Sequence, residues 1–198
     1  SGIQLGLGVK PAAVHRLHSQ GSIATTENPF DVAILGEGYF QIQTPEGEIA
    51  YSRDGSFQIN ENGEIVTTSG YLLEPSIIVP EDAVEIVINS SGEGLAKLPN
   101  QTDLSNLGQI QLAIFPNKAG MEAIGNNLFL ETEASGAPIT GNPAEQGYGR
   151  IEQGMLENSN VNSVEEITNL ITAQRAYEMN SQVVQVSDQI LEATSRLR

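Results

Sequence analysis

The sequence contains no cysteine and no tryptophan. Disulfides, thiolate metal sites and a cysteine nucleophile are therefore excluded, while the compartment stays open. Aromatic residues make up only 5% of the chain, which leaves little to stack on sugar rings. Basic residues are also scarce, with 9 Lys and Arg against 25 Asp and Glu and a net charge of −16. A phosphate backbone or an anionic membrane surface needs the opposite balance, so neither nucleic acid nor membrane is an expected partner. No apolar run approaches the roughly 20 residues that cross a bilayer. Ser1 to Val9 lack the charged and apolar regions of a cleavable signal. What is plentiful is glycine, 20 residues in a chain of 198, a length that suits one domain or one domain plus a fragment.

Three zones follow one another. Residues 1–27 carry Lys10, His15, Arg16 and His18 among scattered glycines and read as an extended connecting segment, with a strand around Val14 to Leu17. Residues 28–155 alternate short strand signals with turn signals. Phe30–Leu35, Tyr39–Gln43, Glu48–Arg53, Phe57–Ile59 and Glu64–Thr67 read as strands, as do Ile77–Val79, Val84–Ile88, Gln109–Phe115 and Leu128–Leu130. Thr44–Gly47 and Asn60–Gly63 reverse the chain, and Asp54-Gly55 reads as a two-residue hairpin. The spacing predicts a mainly β fold, an antiparallel β-rich domain built as a sandwich or small barrel. Between Asp54 and Gly149 only Lys97 and Lys118 are basic, so most of the negative charge lies here.

Residues 156–198 differ. Gly and Pro vanish after Gly154, and apolar or small residues recur in steps of three and four. Val164, Ile167, Leu170, Ile171, Ala173, Tyr177, Val184 and Leu191 define one face of a long amphipathic helix, with Asn180, Ser187 and Thr194 as polar members of the same seam. Asn162 or Ser163 caps its start, Glu165 and Glu166 occupy the first turn, and Arg196 and Arg198 the last, an order that suits the helix dipole. Some 35 residues at about 1.5 Å each make a rod of roughly 50 Å, longer than a small β domain can cover. The stripe calls for a second helix in a coiled coil, and the sequence offers no other long helical pattern, so the expected partner lies outside the chain.

Chemistry-bearing motifs are weak. His15 and His18 would chelate a metal from a helix face, but on a strand their spacing puts them on opposite faces, and only Glu27 sits nearby. Asn60-Glu-Asn-Gly-Glu64 resembles the start of a calcium loop without its closing acid, and a hairpin turn explains it better. Gly36-Glu-Gly38 and Gly92-Glu-Gly94 lack the third glycine or the Lys of a phosphate-binding loop and read as corners between strands. Carboxylate pairs arise by chance in so acidic a chain. No catalytic residue, metal site or cofactor is assigned, and no enzymatic activity is expected.

Several spaced motifs carry a resemblance. Asn28-Pro-Phe-Asp-Val-Ala-Ile34, Gly36-Glu-Gly-Tyr-Phe-Gln41, Tyr51-Ser-Arg-Asp-Gly-Ser-Phe57 and Ile65-Val-Thr-Thr-Ser-Gly-Tyr71 resemble the bacterial flagellar rod and hook family. Gly125–Gly136, Leu156–Asn162 and Gln174–Ser181 continue the likeness over nearly the whole chain. The resemblance implies a structural protein of the basal body, exported by the flagellar type III apparatus without a cleaved signal. It implies helical self-assembly into the hollow periplasmic drive shaft that carries torque, at its outer-membrane end. Neighbouring rod and hook axial proteins and the surrounding basal-body rings would be its other partners. An N-terminal helix that pairs with residues 156–198 in the family would precede Ser1, so the chain reads as a fragment lacking that helix. The family's extra strand before Pro-Gly-Gln looks short at Gly92–Lys97, through missing residues or loss of the strand, and no strand is assigned between Ser91 and Asn100. Within the family a hook protein is the nearest rival, though its usual larger outer domain hardly fits this length, and the proximal rod proteins are a further alternative. Outside it the rivals are a secreted acidic β domain that binds a ligand or calcium and, weakest, a carboxylate-pair hydrolase.

Overall fold

In the computed structural model, residues 16–99 and 103–196 are described, and the side chains of Leu191, Thr194 and Ser195 lie outside the described set. The first strands are β1 (Ile23–Thr25), β2 (Val32–Leu35) and β3 (Tyr39–Gln43). Then come β4 (Ile49–Ser52), β5 (Phe57–Ile59), β6 (Ile65–Thr67), β7 (Leu72–Glu74), β8 (Glu85–Ile88) and β9 (Glu93–Lys97). Four hairpins among them share one turn. At Thr44–Gly47, Asn60–Gly63, Thr67–Gly70 and Asn89–Gly92 the glycine N–H donates to the first residue's carbonyl at 2.8 to 3.0 Å. Each of these glycines has φ between +79° and +86°, the left-handed conformation that glycine adopts without steric cost. In two of the turns an asparagine adds the same brace. The Oδ1 of Asn60 accepts from the N–H groups of Asn62 and Glu64, and that of Asn89 from Ser91 and Glu93. Their amides donate to the carboxylates of Glu64 and Glu93 at 2.8 and 2.7 Å. The letters that resemble a calcium loop are thus a self-satisfied turn.

Later strands are β10 (Ser105–Gln109), β11 (Leu112–Ile114), β12 (Glu122–Gly125) and β13 (Leu128–Leu130), with β14 (Ile139–Gly141), β15 (Arg150–Gln153) and β16 (Met155–Glu157). All described pairings are antiparallel. The largest sheet runs β12-β13-β4-β3-β7-β6-β5, with β11 bridging β3 and β14; β8, β9 and β10 form a second. Strand alternation divides the interior in two. Phe40, Ala50, Leu112 and Leu128 join the main cluster around Ile34, Ile65, Leu73 and Ile151. Their chain neighbours Tyr39, Tyr51, Ala113 and Phe129 point the other way and join Phe115 and Met121. A single helix, α1 (Ser163–Arg196), ends the chain. The fold is mainly antiparallel β with one C-terminal helix, as the spacing predicts. Two compact units result, residues Ser1–Ser159 and Asn160–Arg198.

Five local readings need correction. Val14 and His15 lie outside the described residues, and Arg16 and Leu17 form no strand. The first described strand is instead β1, pairing with β16, so the end of the connecting segment is held by a strand 130 residues away, as in Thr25 opposite Met155. A strand does occupy Ser91 to Asn100 in part, because β9 is the central strand of its sheet. Its burial alternates, with Gly94 and Ala96 inside, a pattern of small residues that hydropathy alone undervalues. Ile77–Val79 is not a strand but a single bridge from Ile78 to Glu64, flanked by buried Ile77 and Val79. Gln109–Phe115 is two strands, broken at Ile110 and Gln111.

The fifth correction concerns Asp54-Gly55. β4 and β5 do not pair with each other, and neither residue has positive φ. Asp54 Oδ1 accepts from the N–H and hydroxyl of Ser56, while the Val32 N–H donates to the Gly55 carbonyl at 3.0 Å. Glycine is needed there for space: a Cβ on residue 55 would sit 1.7 Å from the Val32 carbonyl oxygen.

Candidate assembly surface and its neighbouring anchor

The terminal helix begins where its cap chemistry places it. Asn162 Oδ1 accepts from the N–H of Val164 at 3.1 Å, and its carbonyl takes the first helical bond from Glu166. Glu165 and Glu166 stand in the first turn and Arg196 in the last. Along the predicted stripe Val164, Ile167, Leu170, Tyr177 and Val184 are each more than half exposed, and Ile171 is 44% exposed. Ala173 is exposed as well, whereas the side chain of Leu191 lies outside the described residues. Met179, Val183, Val186 and Ile190 are further exposed apolar side chains on this helix. Exposed apolar runs of this length are a common feature of interaction surfaces.

Within the β unit, Arg53 gathers three of the motifs. Its Nη1 donates to the carbonyls of Gly36 and Gly38 at 2.9 and 3.0 Å, and Nη2 to that of Ile34 at 3.1 Å. Nε and Nη2 both reach Glu157 Oε2, at 2.9 and 2.7 Å, while Glu157 Oε1 accepts from the Gly21 N–H. Gln20 completes the cluster, donating to the Ile34 carbonyl and accepting from the Gly36 N–H. The ion pair is mostly buried, with side chains 21% and 10% exposed. A planar, permanently charged guanidinium suits this work because it serves several carbonyls and a carboxylate at once. Sequence reading singled out neither Arg53 nor Glu157. The only available signal was that an arginine in an acidic chain stands inside a strand-turn motif.

Near this cluster the Tyr39 hydroxyl is hydrogen-bonded to His18 Nδ1 at 3.2 Å, and Arg16 lies over the Phe129 ring. His15 is outside the described residues, so the paired-histidine chelate is not formed by what is described. Among the described residues there is no cluster of three or more His, Asp or Glu placed to hold a metal. Burial pushes the Tyr39 phenol up to about 12; Glu37 and Glu157 push the same way and Arg53 opposes them. Burial, with Glu131, does the same for Tyr51. An unfolded chain releases these protons near pH 10, while the folded chain keeps them. Stability from this source is therefore complete below pH 10 and falls as pH rises toward 12, by about 2–3 kcal/mol per tyrosine. Urea unfolding midpoints measured across that window should drop steeply, and Tyr39→Phe should flatten the drop.

Comparison with known proteins bears on what this surface serves. Residues 33–94 match the family described as the flagellar hook protein FlgE/F/G D1 domain, and residues 152–197 the flagellar basal body rod FlgEFG protein C-terminal. The first segment holds Arg53 and its carbonyl partners; the second holds Glu157 and the helical stripe. The flagellar basal-body rod protein FlgG of Caulobacter vibrioides is 52% identical over 198 residues, covering 100% of this chain and 76% of the relative. That of Bacillus subtilis is 35% identical over 200 residues, covering 98% and 75%. Similarity to the flagellar hook protein FlgE of Salmonella typhimurium, 38%, extends over only 60% of the chain and 29% of that protein. The chain belongs to the flagellar rod and hook family, and within it is a structural subunit of the flagellar basal-body rod, most like the distal rod protein.

Proposed function

We propose that the chain acts without enzymatic chemistry, as a self-assembling subunit of the distal rod whose working surface is the stripe Val164, Ile167, Leu170, Ile171, Ala173, Tyr177, Val184 and Leu191. The observation that carries this reading is an exposed helix with apolar residues at seven-residue spacing, Leu170, Tyr177, Val184 and Leu191. Ala173, Asn180, Ser187 and Thr194 form a second series at the same spacing. A strict seven-residue repeat is the pattern of a left-handed coiled-coil seam, and polar residues within it set register between helices. The seam packs on helices of neighbouring axial subunits, its own copies and adjoining rod and hook proteins alike. The β-rich segment 28–155 carries most of the negative charge. Torque then passes through many repeated contacts, each modest, in a shaft exported unfolded and placed in the periplasm. A chain without cysteine suits that route, because packing alone locks it after export.

Deleting Val161 to Arg198 in a flagellated strain tests the reading. Swimming on soft agar should be lost and rods should be missing from isolated basal bodies, while the purified truncated chain keeps the β-rich circular-dichroism spectrum. A motile deletion strain would contradict it.

A further inference from the structure

Charge is distributed unevenly along this chain. Residues 1–26 contain Lys10 and Arg16 and no acidic side chain, whereas everything from Glu27 onward is strongly acidic. The β unit also carries a groove of about 730 Å³. Phe30, Ile59, Val79 and Ile86 contribute apolar lining, Glu27, Glu61, Glu81 and Glu85 are exposed carboxylates along it, and among the described residues no Lys or Arg takes part.

The groove is not open to an added strand. Strand β8, at the edge of its sheet, passes along it, but the Gln153 amide already fills that edge. Its Oε1 accepts from the Ile88 N–H at 3.1 Å and its Nε2 donates to the Ile86 carbonyl at 3.0 Å. An occupant must therefore be extended, bind through side chains, and bring positive charge. Val9-Lys-Pro-Ala-Ala-Val-His15 suits such an occupant by composition: its proline needs no edge hydrogen bond, its alanines are small, and Lys10 complements the carboxylates.

Its own groove is poorly placed to receive it. Arg16 and His18 rest on Phe129 and Tyr39, which belong to the smaller core cluster. The groove is built on the opposite face of the sheet, from Val79 of the main cluster and from Phe30 and Ile86 packed against it. We propose that this groove receives residues 9–15 of a second copy of the chain, a subunit-to-subunit contact separate from the helical seam. The inference rests on the reading that the chain self-assembles.

The absence of cysteine makes a clean test possible. Full-length chains carrying Ala12→Cys are mixed with full-length chains carrying Val84→Cys, whose native side chain lines the groove and is 71% exposed. A control pair joins Ala12→Cys to Ser69→Cys, at an exposed turn away from the groove. The expected result is mixed disulfide formation at least tenfold faster for the groove pair. Adding Glu81→Lys and Glu85→Lys to the groove chain should reduce it to the control rate. Equal rates for the two pairs overturn the proposal. So does a chain bearing both Ala12→Cys and Val84→Cys that closes only on itself, since the groove then takes its own segment. Association through the helices alone speeds test and control pairs together, so failure of the seam and failure of the groove contact are read separately.

Discussion

Replacing Leu170 and Val184 together by glutamate is expected to abolish rod assembly and leave the β unit untouched. Both residues lie in the seven-residue series, at 67% and 61% exposure in the lone chain. Burial of an aliphatic side chain of this size against a partner helix contributes about 1.5–3 kcal/mol. Losing two such contacts removes about 3–6 kcal/mol for each subunit contact, or two to four orders of magnitude in association. The true loss is larger, since each new carboxylate must also be desolvated in the seam. Glutamate is a good helix former, so the isolated helix is not penalised by the exchange. Gln182→Glu provides the control: at about 100° per residue it stands roughly 160° round the helix from Val184. Cells carrying the double variant should fail to swim, the control should swim, and the purified chains should melt within about 2 °C of each other. A swimming double variant would remove the stripe from the mechanism.

Arg53→Ala is expected to be the most damaging single change in the β unit. It strands the Glu157 carboxylate, whose side chain is 10% exposed, and removes the guanidinium donors from the carbonyls of Gly36 and Gly38, while that of Ile34 keeps the Gln20 amide. Breaking a buried pair by removing one partner costs about 3–5 kcal/mol, and the partial exposure of Arg53 argues for the lower end, about 3 kcal/mol. For a chain of this size that is a fall in Tm of roughly 6–12 °C. Arg53→Lys should recover less than half of the loss, because one ammonium cannot span the carbonyls and the carboxylate as a guanidinium does. Amide exchange in Met155 to Glu157 should quicken more than in β3 or β4, since Glu157 is the side of the cluster that loses its charge partner. A Tm within 2 °C of the parent would show that water replaces the guanidinium without cost.

The two variants also mark how unevenly the molecule was legible. Helix α1 could be read in advance to within two residues, cap included, because capping, dipole and heptad signals all lie within the segment they describe. The hairpin turns at Thr44–Gly47 and Asn60–Gly63 were equally plain, since one glycine in the left-handed region decides each of them. Strand β9 went unassigned because its buried residues, Gly94 and Ala96, are too small to give a hydropathy signal. At Asp54-Gly55 the turn residues were right and the reason wrong. The glycine answers to Val32, whose carbonyl passes where a Cβ would go.

What the sequence by itself determined, then, was the local repertoire: an antiparallel β-rich unit, its commonest turns, and a capped terminal helix with an apolar stripe. It also excluded disulfides and fixed an acid-free start before an acidic body. Only the tertiary structure decided which strands pair, and above all that β1 closes on β16 and that Arg53 meets Glu157 across 104 residues. Turn and helix preferences arise from interactions within a few residues. A guanidinium's five donors, by contrast, carry no sequence signature of where their acceptors will be, and only folding brings those acceptors within 3.1 Å.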